Sequence, residues 1–196
     1  MVKLVVSEFM SLDGVIQAPG DPNEDRSGGF EHGGWQLDYF DDVFGDFVQQ
    51  GLDATGSLLL GRLTYVNFAN YWPTAPDDIP ITPQMNGFRK YVVSSTLTEP
   101  LPWQRSTLIK GDIADEVRKL KAEPGKDIQV MGSGQLVQTL VEHDLVDEYR
   151  LMIHPLVLGK GKRLFRDEST ISRLRLIDSR VTATGVLLLT YLPATT

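Results

Sequence analysis

The sequence predicts a three-layer α/β domain built on a mixed sheet. Three observations carry this. Apolar, β-branched runs of strand length alternate with segments of helical periodicity from Val2 to Ile153. Two junctions, Leu60-Gly61-Arg62 and Met131-Gly132-Ser133-Gly134, pass straight from strand through glycine into helix. The end of the chain, from Arg173 onward, reads as strand only. Alternation favours parallel strands covered by helices on both faces, and the strand-only end favours an antiparallel addition to the sheet.

The elements follow in order. Val2–Phe9 is a strand buried on at least one face, and Asp13-Gly14 marks a turn after it. Ala18–Gly34 is irregular, with Pro19, Gly20, Pro22 and four further glycines, and suits either a flap over a ligand or a flexible surface insertion. In Leu37–Gln50 the residues Leu37, Phe40, Val43, Phe44, Phe47 and Val48 make one helical face, with Gly51 as its stop. Ala54–Gly61 is a short buried strand, and Arg62–Phe68 begins the next helix. Tyr71–Gly87 holds four prolines and is expected to contain little regular structure.

Arg89–Thr96 and Ser106–Lys110 are the next strands. Asp112 caps a helix that carries Asp115 and Glu116 in its first turn and ends at Pro124-Gly125. Asp127–Val141 then reads as strand, glycine turn and amphipathic helix. Leu145–Ile153 is a strand that His154–Leu158 extends, and Arg173–Arg180 with Val186–Leu192 forms a hairpin around Thr184-Gly185. No repeat divides the 196 residues, so one domain spanning 1–196 is expected.

Composition narrows the function. The chain has no cysteine, which removes disulfides, thiolate metal sites and cysteine nucleophiles. A formal charge of −7 opposes a nucleic-acid surface. Its apolar runs are too short to span a bilayer, and the N-terminus enters a strand without a signal pattern, so a cytoplasmic location is expected. His32, His143 and His154 lack metal-ligand spacing, and no metal is expected. The absence of Gly-x-Ser-x-Gly weakens a hydrolase reading.

The strand–glycine–helix junctions are the chemical signal. Each aims backbone N–H groups and the positive end of a helix dipole at one place, which suits a phosphate. Arg62 adds a guanidinium and Thr64 a hydroxyl. Gly132-Ser133-Gly134 matches neither the Rossmann fingerprint, since Val137 stands at the third glycine, nor a P-loop.

Five motifs occur in order: Ser11-Leu12-Asp13-Gly14, Leu60-Gly61-Arg62-Leu63-Thr64-Tyr65, Val93-Ser94-Ser95, Val130-Met131-Gly132-Ser133-Gly134 and His154-Pro155-Leu156-Val157-Leu158-Gly159-Lys160-Gly161. Together they resemble the dihydrofolate reductase-like superfamily. The nearer resemblance is to the C-terminal reductase domain of riboflavin-biosynthesis deaminase–reductases and its stand-alone relatives. The resemblance implies a three-layer α/β/α dihydrofolate reductase-like fold, with a mostly parallel sheet and a C-terminal antiparallel hairpin. It implies an NADPH-dependent oxidoreductase acting on a small polar metabolite. The best specific expectation is a 5-amino-6-(5-phosphoribosylamino)uracil reductase-like activity.

By the same resemblance Gly61, Arg62 and Thr64 meet cofactor phosphates, Ser94 and Ser95 lie near the adenosine phosphate, and Gly132, Ser133, Gly134 and Gln135 hold the pyrophosphate. Asp13 and Gly14 border the nicotinamide and substrate pocket, with Asp13 as the expected catalytic group. His32, Trp35 and Tyr39 are further expected pocket residues. Asp38, Asp41, Asp42 and Asp46 match no pterin-protonating acid cleanly. The alternatives are reduction of another carbonyl or imine, dihydrofolate included, and a non-catalytic nucleotide sensor. A homodimer is consistent with the family.

Overall fold

The computed structural model describes residues 2–76, 78–165 and 171–194. Its strands are β1 (Leu4–Ser11), β2 (Thr55–Gly61), β3 (Arg89–Val93), β4 (Ser106–Ile109), β5 (Asp127–Val130), β6 (Glu148–His154), β7 (Leu174–Val181) and β8 (Leu187–Pro193). Its helices are α1 (Asp42–Ala54), α2 (Arg62–Tyr71), α3 (Thr82–Gly87), α4 (Ile113–Ala122) and α5 (Gly134–Glu142). The strands form one sheet in the order β4-β3-β2-β5-β1-β6-β8-β7. From β4 to β6 every pairing is parallel, while β8 joins β6 and β7 antiparallel. The mixed, mostly parallel sheet and its antiparallel end are as the sequence predicts.

Side-chain alternation sorts the layers. Leu58 and Leu60 of β2 face α1, α2 and α3 through a cluster with Leu52, Tyr65, Met85 and Trp103. Leu59 faces the other way, with Leu4, Val6 and Val130, against Val117 of α4 and Val137 and Leu140 of α5. Phe44 and Phe47 of α1 close a third cluster over Met152 and Leu188. Each such large apolar side chain contributes about 1.5–3 kcal/mol when fully buried.

Several boundaries differ from the expectation. Leu37 and Phe40 lie outside α1, because Asp41 caps the helix by accepting the Phe44 N–H at 2.9 Å. Its other oxygen accepts the Ala183 N–H at 2.8 Å and ties the helix start to the terminal hairpin. Gly51 is no stop. It lies inside α1, where an added Cβ would stand 3.0 Å from the Arg150 guanidinium. The Tyr71–Gly87 segment holds a 3-10 turn, Trp72–Thr74, and the short α3, whose Pro83 is tolerated in the first turn. β3 stops at Val93 rather than Thr96, and β6 stops at His154, before Pro155.

Candidate functional site

Along the carboxyl ends of β1, β2, β3 and β5 runs a cleft of about 1400 Å³. Its two ends differ in chemistry. At one end the Gly61 N–H donates to the Gly132 carbonyl at 3.2 Å and locks the two glycine junctions together. A Cβ on Gly61 would overlap Ser133 Oγ and stand 2.9 Å from Ser133 N, so only glycine allows this approach. Gly132, at φ +83°, comes equally close to Thr64 Oγ1.

Both junctions open uncapped helices. Among the described helices, α1 and α4 receive side-chain caps from Asp41 and Asp112. At α2 and α5 the cap residues are Gly61 and Ser133, and neither makes a side-chain cap bond. Their first-turn N–H groups therefore face the cleft without side-chain partners, which suits an anion. Arg62 and Lys110 line the same end, and neither forms an ion pair or side-chain hydrogen bond with a described residue. Ser95 and Thr96 also line it. Ser94 Oγ is occupied locally, accepting the N–H groups of Thr96 at 3.1 Å and Leu97 at 3.0 Å. Thus Gly61, Arg62, Thr64, Ser94, Ser95, Gly132, Ser133, Gly134 and Gln135 are brought together along one wall.

The other end is apolar and aromatic, walled by Phe9, Phe40, Phe44 and Met152. The 18–36 segment covers it. That segment docks on α2, where Asn67 Nδ2 donates to the Glu24 carbonyl at 2.9 Å. Among the described residues, three of the five buried side-chain polar atoms without a hydrogen bond belong to cleft-lining residues: Glu8 Oε1, Gln36 Oε1 and Trp72 Nε1. A folded protein rarely leaves such atoms unpaired unless a ligand or water completes them.

Glu8 is the most informative of the three. It lies on β1 in an otherwise apolar stretch and is 7% exposed. Burial pushes its carboxyl up to about 8, opposed by a hydrogen bond from the Gly132 backbone and aided by the nearby Glu24. It holds a proton at neutral pH. Burial also raises Glu24 above the usual carboxylate range. The signal for Glu8 in the sequence is a single acid within the mostly apolar run of β1.

The other expected pocket residues stand outside the cleft lining. Asp13 is a clamp. Its carboxylate accepts the Ser11 hydroxyl at 2.7 Å and the N–H groups of Leu158 at 3.0 Å and Gly159 at 2.9 Å. Burial works against its ionisation, but these three donors outweigh it and hold its carboxyl below the ordinary value. Arg163 packs beside Gly14 and donates through Nε to the Asp13 carbonyl at 2.9 Å. Trp35 and Tyr39 meet the buried His154 edge-on, at 5.1 and 5.5 Å, and serve the core under the 18–36 segment. His32 stacks edge-on against Phe30 at the surface. None of Asp38, Asp41, Asp42 and Asp46 lines the cleft either.

Among the described residues no group of three His, Cys, Asp or Glu side chains is placed to hold a metal ion. No described helix is long and apolar enough to cross a membrane.

Comparison with known proteins places this architecture. The chain is 32% identical over 192 residues to YyaP of Bacillus subtilis (strain 168), itself uncharacterized, covering 96% of this chain and 94% of that protein. YwjB of the same organism is 28% identical over 174 residues, 89% of this chain and 88% of that one. A pyrimidine reductase-like protein from Corynebacterium diphtheriae superposes with a TM-score of 0.66 at 16% identity, over 100% of this chain and 93% of that chain. The deaminase/5-amino-6-(5-phosphoribosylamino)uracil reductase of Thermotoga maritima gives 0.64 at 14% identity, over 98% of this chain and 57% of the longer one. These likenesses show the dihydrofolate reductase-like fold. Residues 2–188 match the family described as the RibD C-terminal domain, a reductase-like family of riboflavin biosynthesis, and the chain belongs to it.

Proposed function

We propose that this protein is an NADPH-dependent reductase of a small polar metabolite. The observation that carries the reading is the pair of uncapped helix N-termini, α2 and α5, joined through Gly61 and Gly132 beside the unpaired Arg62 and Lys110. The pyrophosphate fits the two N-termini, whose glycines let a ligand approach the backbone. The 2′-phosphate fits Arg62 and Lys110, with Ser95 and Thr96 as hydroxyl donors. A bound nicotinamide supplies a hydride.

The chain's own part is to orient, to exclude water and to manage a proton. The 18–36 segment shields the aromatic end, and Gln36 and Trp72 offer an acceptor and a donor to the substrate. Glu8 holds a proton within the cleft and is the group we assign to proton delivery. Asp13 becomes a positioning residue for the 158–163 segment. 5-Amino-6-(5-phosphoribosylamino)uracil is the reference acceptor. NADPH titration followed by fluorescence, and NADPH oxidation with that acceptor and with other carbonyl and imine compounds, test the reading. Tight NADPH binding is expected. An absence of binding ends the proposal, and binding without turnover on any acceptor favours the sensor reading.

A further inference from the structure

The phosphate end of the cleft has an acid built into its back wall. Glu8 reaches from β1 to the Gly132 turn, where its carboxyl accepts the Gly132 N–H. A Cβ built on Gly132 would stand 2.9 Å from Thr64 Oγ1 and 3.9 Å from Glu8 Oε1. The acid, the Thr64 hydroxyl and the turn therefore meet at one point, beside the N-termini of α2 and α5 that the Gly61–Gly132 bond joins. Glu8 is 7% exposed, and its Oε1 has no hydrogen-bond partner.

The charge on this group decides what the wall can hold. An ionised Glu8 would be the wall's own anion. It would offset the positive ends of both helix dipoles and repel a second anion across Gly132. A neutral Glu8 leaves the two N-termini to a ligand. The charged side chains that line the cleft around it are Asp21, Glu24 and Asp25 on the 18–36 segment, Arg62 on α2, Lys110 after β4, and Lys162 and Arg163 on the 158–163 segment. Of these Glu24 alone shifts Glu8, and it acts with burial to keep the carboxyl neutral.

We infer that Glu8 belongs to the cofactor site: the wall takes the dinucleotide diphosphate only when Glu8 is neutral, so binding in alkaline solution draws a proton onto Glu8. The inference rests on the NADPH reading and gives Glu8 a part in cofactor affinity beside the proton delivery assigned above. Linkage makes the two effects one. Whatever factor the ionisation of Glu8 costs in cofactor affinity, bound cofactor lowers the tendency of Glu8 to ionise by the same factor.

NADPH binding at about pH 7 and about pH 9, read by fluorescence and by calorimetry, tests this on the parent, Glu8→Gln and Glu8→Leu proteins. For a group that ionises at about 8, the parent dissociation constant should rise roughly fivefold to tenfold over that interval. Calorimetry in two buffers of different ionisation heat should count about one proton taken up per NADPH at about pH 9. Neither substituted protein can ionise at this position, and both should show a rise of less than about twofold and no uptake. Glu24 and Lys90 are present in all three proteins, so their titration cancels from the comparison. A flat parent profile overturns the inference, and so does a slope or a proton uptake that Glu8→Gln reproduces. Absence of NADPH binding to the parent at both pH values is a separate result, which ends the reductase reading and this inference with it.

Discussion

Gly61 and Gly132 hold two separate strand–helix junctions in register through one backbone hydrogen bond of 3.2 Å, and Ser133 packs where a Gly61 side chain would be. Gly61→Ala would push Ser133 and its turn away from α2. We expect NADPH affinity to fall by at least about tenfold and stability to drop by about 1–3 kcal/mol. A fluorescence titration and a denaturant melt measure the two. Unchanged affinity would mean that the turn is not part of the cofactor wall.

Arg62 and Lys110 should distinguish the two nicotinamide cofactors. Replacing either with alanine removes a charge-assisted contact worth about 1.5–3 kcal/mol, or roughly a tenfold to hundredfold loss. The loss should fall on NADPH more than on NADH if the residue meets the 2′-phosphate. Titrations of both cofactors against each variant decide this, and equal losses would assign the residue to the shared pyrophosphate.

Glu8 makes stability depend on pH. Its folded value of about 8 exceeds the unfolded value of about 4.3, so the folded state holds more protons between them. Its contribution is complete below the unfolded value and is lost as pH rises through about 8. Glu8→Gln cannot ionise, so its stability should hold between about pH 5 and about pH 8 while that of the parent falls by several kcal/mol. It should also slow turnover while NADPH still binds. Identical stability profiles for the two proteins would show that Glu8 is not held protonated.

Lys90 acts in the adjoining window. It is fully buried, stacked over Trp103 at 4.0 Å, and donates to the carbonyls of Asn86 and Gln104 at 2.9 and 3.2 Å. Burial lowers it to about 8, aided by Arg105, below its unfolded value of about 10.4. The unfolded chain then binds more protons between these values, so this group makes stability rise with pH from about 8 to about 10. Lys90→Met should remove that rise, as read from denaturation free energies at about pH 7 and about pH 9.

Asp13→Asn separates clamp from catalyst. The amide can still accept through one oxygen but loses the charge that holds the Leu158 and Gly159 N–H groups. Stability should fall by about 1–3 kcal/mol, with NADPH affinity retained. An unchanged melt together with abolished turnover would restore Asp13 to a direct chemical role.

The sequence by itself determined the alternation of elements, the two glycine junctions and the parallel character of most of the sheet. These are local properties. Periodicity marks which face of a segment is apolar, and glycine marks where the backbone must turn or approach closely. The wall formed by Gly61, Arg62, Thr64, Ser95 and Gly132 to Gln135 was legible for that reason. Only the tertiary structure decided which polar groups end up facing a ligand. The Asp13-Gly14 turn does not show in sequence that the Asp13 carboxylate accepts the N–H groups of Leu158 and Gly159, nor do the residues around Trp35 and Tyr39 show that both rings meet His154 edge-on. Glu8 carries no motif in the sequence, and it is burial that raises its carboxyl to about 8. Burial and hydrogen-bond partners are set by residues more than a hundred positions away, so no window of sequence contains them.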